Sequence, residues 1–152
     1  MEKQKKIVIE DTNAKVGREE DFRHITGGKS LHKESNENGK MLIEFAEENK
    51  MKIISTHFDH KNIHKETWTS SYNKTKNQID HLLIENRDHT MIHDCRSYRG
   101  ADANSDHTLV IAKIKEKLPT NRKLKKERKR VNVEILKDKK ITQQIERELN
   151  KD

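Results

Sequence analysis

The sequence predicts an α/β fold, on three observations. Short apolar runs of strand length recur up to residue 114, one amphipathic stretch of helical period interrupts them, and clusters of Gly, Asn, Asp and Ser separate them. Strands alternating with a helix place the chain in the α/β or α+β class.

The elements follow in order. Ile7-Val8-Ile9 is a continuous apolar run, expected to be a strand buried on both faces. It stops at Glu10-Asp11-Thr12-Asn13 and reaches a turn at Gly17, and Gly27-Gly28 marks a loop. Ser35 or Asn36 can cap a helix that carries Met41, Leu42, Phe45 and Ala46 on one face, with Asn49 suited to its end. Residues 51–58 read as a second buried strand around Ile53-Ile54. Thr67-Trp68-Thr69 is β-prone and residues 71–74 are turn-like. Strands are expected over 78–85, 92–98 and 108–114, with a polar loop around Gly100. Pro119 punctuates the end of the folded part, so a domain is expected over 1–118 and a basic linker or helical tail over 119–152.

Composition supports that division. Only 30% of residues are hydrophobic and 39% are charged, short of the ~45–50% apolar content of an ordinary globular domain. Residues 113–130 hold ten Lys/Arg and two Glu, a charge of +8, so the remainder of a chain at +7 sums to −1. The basic character therefore sits in the tail, which either contacts nucleic acid or merely solvates. Cys95 is the only cysteine, which excludes an intrachain disulfide. No apolar run approaches the ~18 residues of a membrane span, so no membrane partner is expected, and the location is expected to be nuclear or cytoplasmic.

Several residues have the character of a reaction site. Asp11 and Asn13 follow a strand directly, where α/β folds place their sites, although Asp and Asn are also ordinary turn residues. On a strand over 78–85, Asp80 shares a face with Leu82 and Ile84. A carboxylate there needs a partner (His, Arg or a metal) unless it sits at the strand's edge. Asp106 and His107 are adjacent and point to opposite sides of an extended segment. His57, His60 and His64 are too loosely spaced, and too far from Cys95, for a structural zinc site.

Taken together, these segments are more specific than any one of them. Ile7 to Gly17, with Glu10-Asp11-Thr12-Asn13-Ala14, resembles the Gly-Asp-Phe-Asn-Ala motif of the endonuclease/exonuclease/phosphatase superfamily. Thr67-Trp68, then Asn77-Gln78-Ile79-Asp80-His81, resembles its Trp-bearing and Gln-Ile-Asp strands, and Ser105-Asp106-His107 its terminal Ser-Asp-His motif. The stretch from His60 to Trp68 and the Gln-Ile-Asp-His segment are similar to LINE retrotransposon endonucleases of the RTE type. Residues 133–138 resemble the link to reverse transcriptase in such polyproteins.

The resemblance implies half of that family's two-sheet α/β sandwich, with Mg²⁺ or Mn²⁺ as cofactor. DNA and a reverse transcriptase module are the implied partners. Asp11 would activate water or assist the leaving group, and Asn13 would hydrogen-bond the scissile phosphate. Asp106 would hold the metal, His107 would contact the phosphate, and Asp80 would orient His107. Glu10 and Thr12 stand where the family usually has Gly and Phe, which puts a carboxylate beside a site that must accept phosphate. The family's N-terminal half, which supplies a metal-binding Glu, has no counterpart here. Self-association through the sheet face it would cover is therefore expected. The leading expectation is a DNA-nicking endonuclease domain; the alternative is a non-catalytic remnant with a basic nucleic-acid-binding tail.

Overall fold

A computed structural model describes residues 4–72, 74–101 and 104–116, together with 143, 146 and 147. The chain divides into two units, Met1–Lys117 and Leu118–Asp152. The tail expected over 119–152 lies almost wholly outside the described residues.

The first unit has a central antiparallel sheet of β1 (Ile7–Asp11), β5 (Asp80–Glu85) and β2 (Met51–Ile53), in the order β1-β5-β2. β3 (Trp68–Thr69) and β4 (Lys76–Asn77) pair as one short antiparallel ladder, and β6 (Ile92–Tyr98) and β7 (Leu109–Ile114) as another. Among its described residues this unit has two α-helices, α1 (Arg23–Thr26) and α2 (Glu37–Glu48).

β5 is the centre because its side chains are apolar on both faces. Leu83 looks toward the helices and packs with Val16, Ile25, Ile43, Ala46, Met51 and Ile53. Leu82 and Ile84 look the other way, onto Ile54, Ile92 and Cys95, with Val110 and Ala112 of β7 against them. The layers are therefore helix, central sheet and β6–β7 ladder. Cys95 lies in the second core, and burial, helped by Asp94, pushes its thiol up to about 12.

α2 starts where the sequence places it. The Asn36 side chain accepts from the Gly39 amide at 2.8 Å and from the Lys15 amide at 2.9 Å. One carboxamide thus caps the helix and ties it to the loop after β1. Gly39 is required at this junction, because a Cβ there would stand 2.0 Å from the Lys15 carbonyl oxygen. Asn36→Ala should destabilise the unit by about 1–2 kcal/mol, read as a lower urea midpoint, since a cap is normally worth ~1 kcal/mol and here a loop bond goes too. An unchanged midpoint would mean that the cap contributes nothing.

Three expectations are corrected. β1 is an edge strand rather than one covered on both faces: among the described residues it pairs with β5 alone, and Ile9 is 71% exposed. The buried stripe of α2 runs through Gly39, Ile43 and Ala46, which leaves Met41 and Phe45 exposed. The strand expected over 51–58 stops at Ile53, and Ile54–Thr56 is a 3₁₀ turn. The Thr56 hydroxyl there donates to the Thr26 carbonyl at 2.6 Å, a bond that a continued strand would not make. The strands over 92–98 and 108–114 fall where expected, within a residue. No helix among the described residues is long and apolar enough to cross a membrane.

Candidate functional site

The β1–β5 register sets Asp11 directly opposite Asp80. Two carboxylates facing each other across an antiparallel ladder repel. What relieves them arrives from a third segment. The Trp68 position of β3 forms a bridge to His107, the Thr69 amide donates to the Asp106 carbonyl at 3.0 Å, and the Thr108 amide donates to the Thr67 carbonyl at 2.7 Å. The 106–108 segment is thereby laid along β3, and the imidazole comes between the carboxylates.

His107 Nδ1 lies 3.2 and 3.3 Å from the two Asp80 oxygens, and its Nε2 lies 3.7 Å from Asp11 Oδ2. A carboxylate only accepts, so Nδ1 carries a proton and donates it to Asp80. Nε2 is then the ring atom left to face a ligand, with Asp11 beside it. One ligand atom from each of Asp11, Asp80 and His107 lies within 4.8 Å of the others, a spacing compatible with a shared cation. All three side chains retain access to solvent, at 42%, 19% and 34%.

The other two residues singled out in the sequence are placed differently. Asn13 is adjacent and exposed; it takes a left-handed conformation, φ 48°, and its amide donates to Asp11 Oδ1 at 3.1 Å, which holds that carboxylate in a turn. Asp106 does not join the three. Its Oδ2 accepts from the Trp68 indole at 2.8 Å, because residues 106 and 107 project to opposite sides of the segment. Glu10 is also clear of the site: it faces the opposite side of β1 from Asp11 and is exposed.

Residues behind the site fix its geometry. The Thr67 hydroxyl accepts from the amides of Ile79 at 3.0 Å and Asp80 at 3.2 Å, which clips the start of β5 to β3. His81 is 1% exposed, with Nε2 2.9 Å from the Ala14 carbonyl and Nδ1 2.9 Å from the Ser55 hydroxyl. A carbonyl cannot donate, so Nε2 holds the proton and Nδ1 accepts from Ser55. Burial lowers the His81 pKa to about 4, against a smaller opposing effect of the Ala14 bond. Gln78 completes the support: its Nε2 donates to the Ser55 carbonyl at 3.2 Å and its Oε1 accepts from the Leu31 amide at 2.9 Å. His32 Nε2 accepts from the Gln78 amide at 3.1 Å, and burial followed by Lys15 lowers the His32 pKa.

Thr67 and His81 carried no signal of these roles beyond a β-prone dipeptide and a place in the Gln-Ile-Asp-His segment. The remaining histidines go elsewhere. His57 Nδ1 donates to the Ile53 carbonyl at 3.0 Å, and His60 Nε2 meets Asp94 Oδ1 at 2.7 Å.

Fold and site together define a mixed α/β protein with two carboxylates and an imidazole gathered where strands meet. Over 112 residues, 74% of its length, the chain is 38% identical to craniofacial development protein 2 of Bos taurus, and equally to that of Tragulus javanicus. It spans about a fifth of these curated relatives, 19% of each. No family model matches the chain, and no solved structure matches it.

Proposed function

We propose that the chain is part of a metal-dependent DNA endonuclease domain of LINE-retrotransposon descent, acting by phosphodiester hydrolysis. The observation that carries this reading is the convergence of Asp80, His107 and Asp11, three residues far apart in sequence. It supports the roles that the sequence resemblance implies for these three residues, though not the one it implies for Asp106. Asp80 holds the ring by Nδ1, and a ring protonated on both nitrogens donates from Nε2 to a phosphate oxygen. Asp11 lies where it can take a proton from an attacking water. Asn13, on the exposed turn just past Asp11, supplies a neutral donor to the phosphate.

The donor set fits a hard divalent ion: it is rich in carboxylate oxygen and open enough for the ion to keep waters. Asp11 and Asp80 would hold Mg²⁺ or Mn²⁺, with Asp106 contributing only if its free oxygen turns toward them. When bound, such an ion neutralises charge that develops on the phosphate oxygens.

A second reading, a non-catalytic remnant, is favoured for the isolated chain by two features. Asp106 is engaged by Trp68, and Ile9 and Leu109 lie uncovered at 71% and 51% exposure. The nicking of supercoiled plasmid with Mg²⁺ separates the readings. The chain alone should nick feebly, and a fusion behind the N-terminal half of a related endonuclease should nick well and stop in EDTA. No metal-dependent nicking by the fusion would sink the endonuclease reading; robust nicking by the lone chain would sink the remnant reading.

A further inference from the structure

Lys65 is an odd residue to bury. Its side chain is 7% exposed, and its ion-pair partner, Asp59 Oδ1, stands at 3.9 Å, too far for a hydrogen bond. That carboxylate is 74% exposed and is shared, because Lys29 Nζ lies 3.5 Å from Asp59 Oδ2. Arg18 is close enough to act on Lys65 electrostatically, and its own Nε donates to the Ser30 carbonyl at 2.6 Å. Two lysines therefore share one solvated carboxylate, and Arg18 adds a third positive charge near Lys65. Burial first, then Arg18, lowers the Lys65 pKa, with Lys29 adding to the effect and Asp59 opposing it.

An isolated ammonium withdrawn from water is costly, and two like charges nearby raise that cost. The fold holds these groups together by backbone ties: the Lys29 amide donates to the Thr56 carbonyl at 2.9 Å, and the Lys65 amide to the Asn62 carbonyl at 2.8 Å. The cluster also adjoins the site. Lys65 is two residues from Thr67, a span of at most about 7 Å of chain, and Thr67 clips Asp80. Arg18 acts on His32, which is bonded to Gln78 at the head of the same segment.

Building on the endonuclease reading, we propose that Lys65, Lys29 and Arg18 form a second phosphate-binding point, which grips the DNA strand beside the Asp11–Asp80–His107 site. A backbone phosphate is a compact anion that can accept from several ammonium and guanidinium donors at once. Gripping the strand at two places fixes its direction across His107, which one contact at the cut cannot do.

The test is binding of a short fluorescein-labelled DNA duplex by the whole chain in EDTA, followed by anisotropy over a range of salt. Losing one phosphate contact should lower the slope of log affinity against log salt by about one and weaken binding about eightfold near 0.1 M salt. Lys65→Met and Lys29→Ala should each show this, with Lys40→Ala on α2 as the control that does not. Lys29 is 46% exposed, so its variant keeps the question open to decision even if Lys65→Met fails to fold. Slopes and affinities unchanged in Lys29→Ala, or no DNA binding by the chain, would overturn the proposal. Plasmid nicking by the fusion reports separately. Intact nicking with lysine-independent binding sinks this inference alone; lysine-dependent binding with no nicking sinks the endonuclease reading alone.

Discussion

Asp80→Asn is expected to lower plasmid nicking by the fused form about a thousandfold, within the range a positioned acid or base contributes, and to leave the fold intact. The substitution keeps the shape of the side chain but puts an amide where the Nδ1 proton of His107 is received. The amide carries no charge, so it no longer balances a ring protonated on both nitrogens, whose Nε2 faces Asp11 at 3.7 Å. The Nε2 donor that meets the phosphate is weakened, and the ring's hold on residue 80 is reduced to a neutral hydrogen bond. His107→Ala should be at least as severe, and Trp68→Phe, which frees Asp106, should be much milder. The readouts are nicking rate and thermal midpoint. An active Asp80→Asn variant with an unchanged midpoint would show that the dyad has no part in the chemistry.

The second large effect is on stability in acid. His81 has a folded pKa of about 4 against an ordinary 6.5, because burial penalises its charged form. The unfolded chain binds the proton more readily, so the stability tied to neutral His81 is fully present above pH 6.5 and drains away as pH falls toward 4. The loss amounts to about 3 kcal/mol, a large share of the 5–15 kcal/mol typical of a domain. His32 and His57, also lowered chiefly by burial, add to it with the same sign. Urea unfolding at pH 7, 5.5 and 4.5 should show a falling midpoint, and His81→Gln should be less stable at pH 7 but flatter with pH. A midpoint that holds steady or rises between pH 7 and 4.5 would contradict the neutral, buried ring. The loop after Asp11 should loosen along with it, because His81 grips the Ala14 carbonyl.

The sequence revealed the site better than the layers around it. Asp80 declared itself as a carboxylate on an apolar face in need of a partner, and His107 is that partner. The strand over 108–114 was legible because Leu109-Val110-Ile111 is a continuous apolar run of strand length. β1 was misjudged because apolarity alone does not say how many neighbours a strand has: Ile7-Val8-Ile9 reads the same at an edge as at a centre. The face of α2 was misjudged because Met41 and Phe45 are as apolar as Ile43, and only packing under β2 selects among them. The turn of Asp106 toward Trp68 depends on how residues 106–108 lie against β3, which no local pattern encodes.

The pairing of Asp11 with Asp80 has a consequence for which changes the chain can accommodate. Their meeting is written into a ladder register, with Ile9 against Leu82 and Glu10 against His81 as the preceding rungs. Losing or gaining one residue within Ile7–Asp11 would turn every following side chain to the other face and bring Glu10 or Thr12 to the rung that Asp11 occupies. The composition and charge of the strand would barely change, yet the cluster would be gone. An extra residue in the exposed turn at Ser71 and Tyr72 displaces no rung of that ladder. Length variation among descendants of this chain should accordingly collect in that turn and spare the five residues of β1, however freely their individual side chains drift.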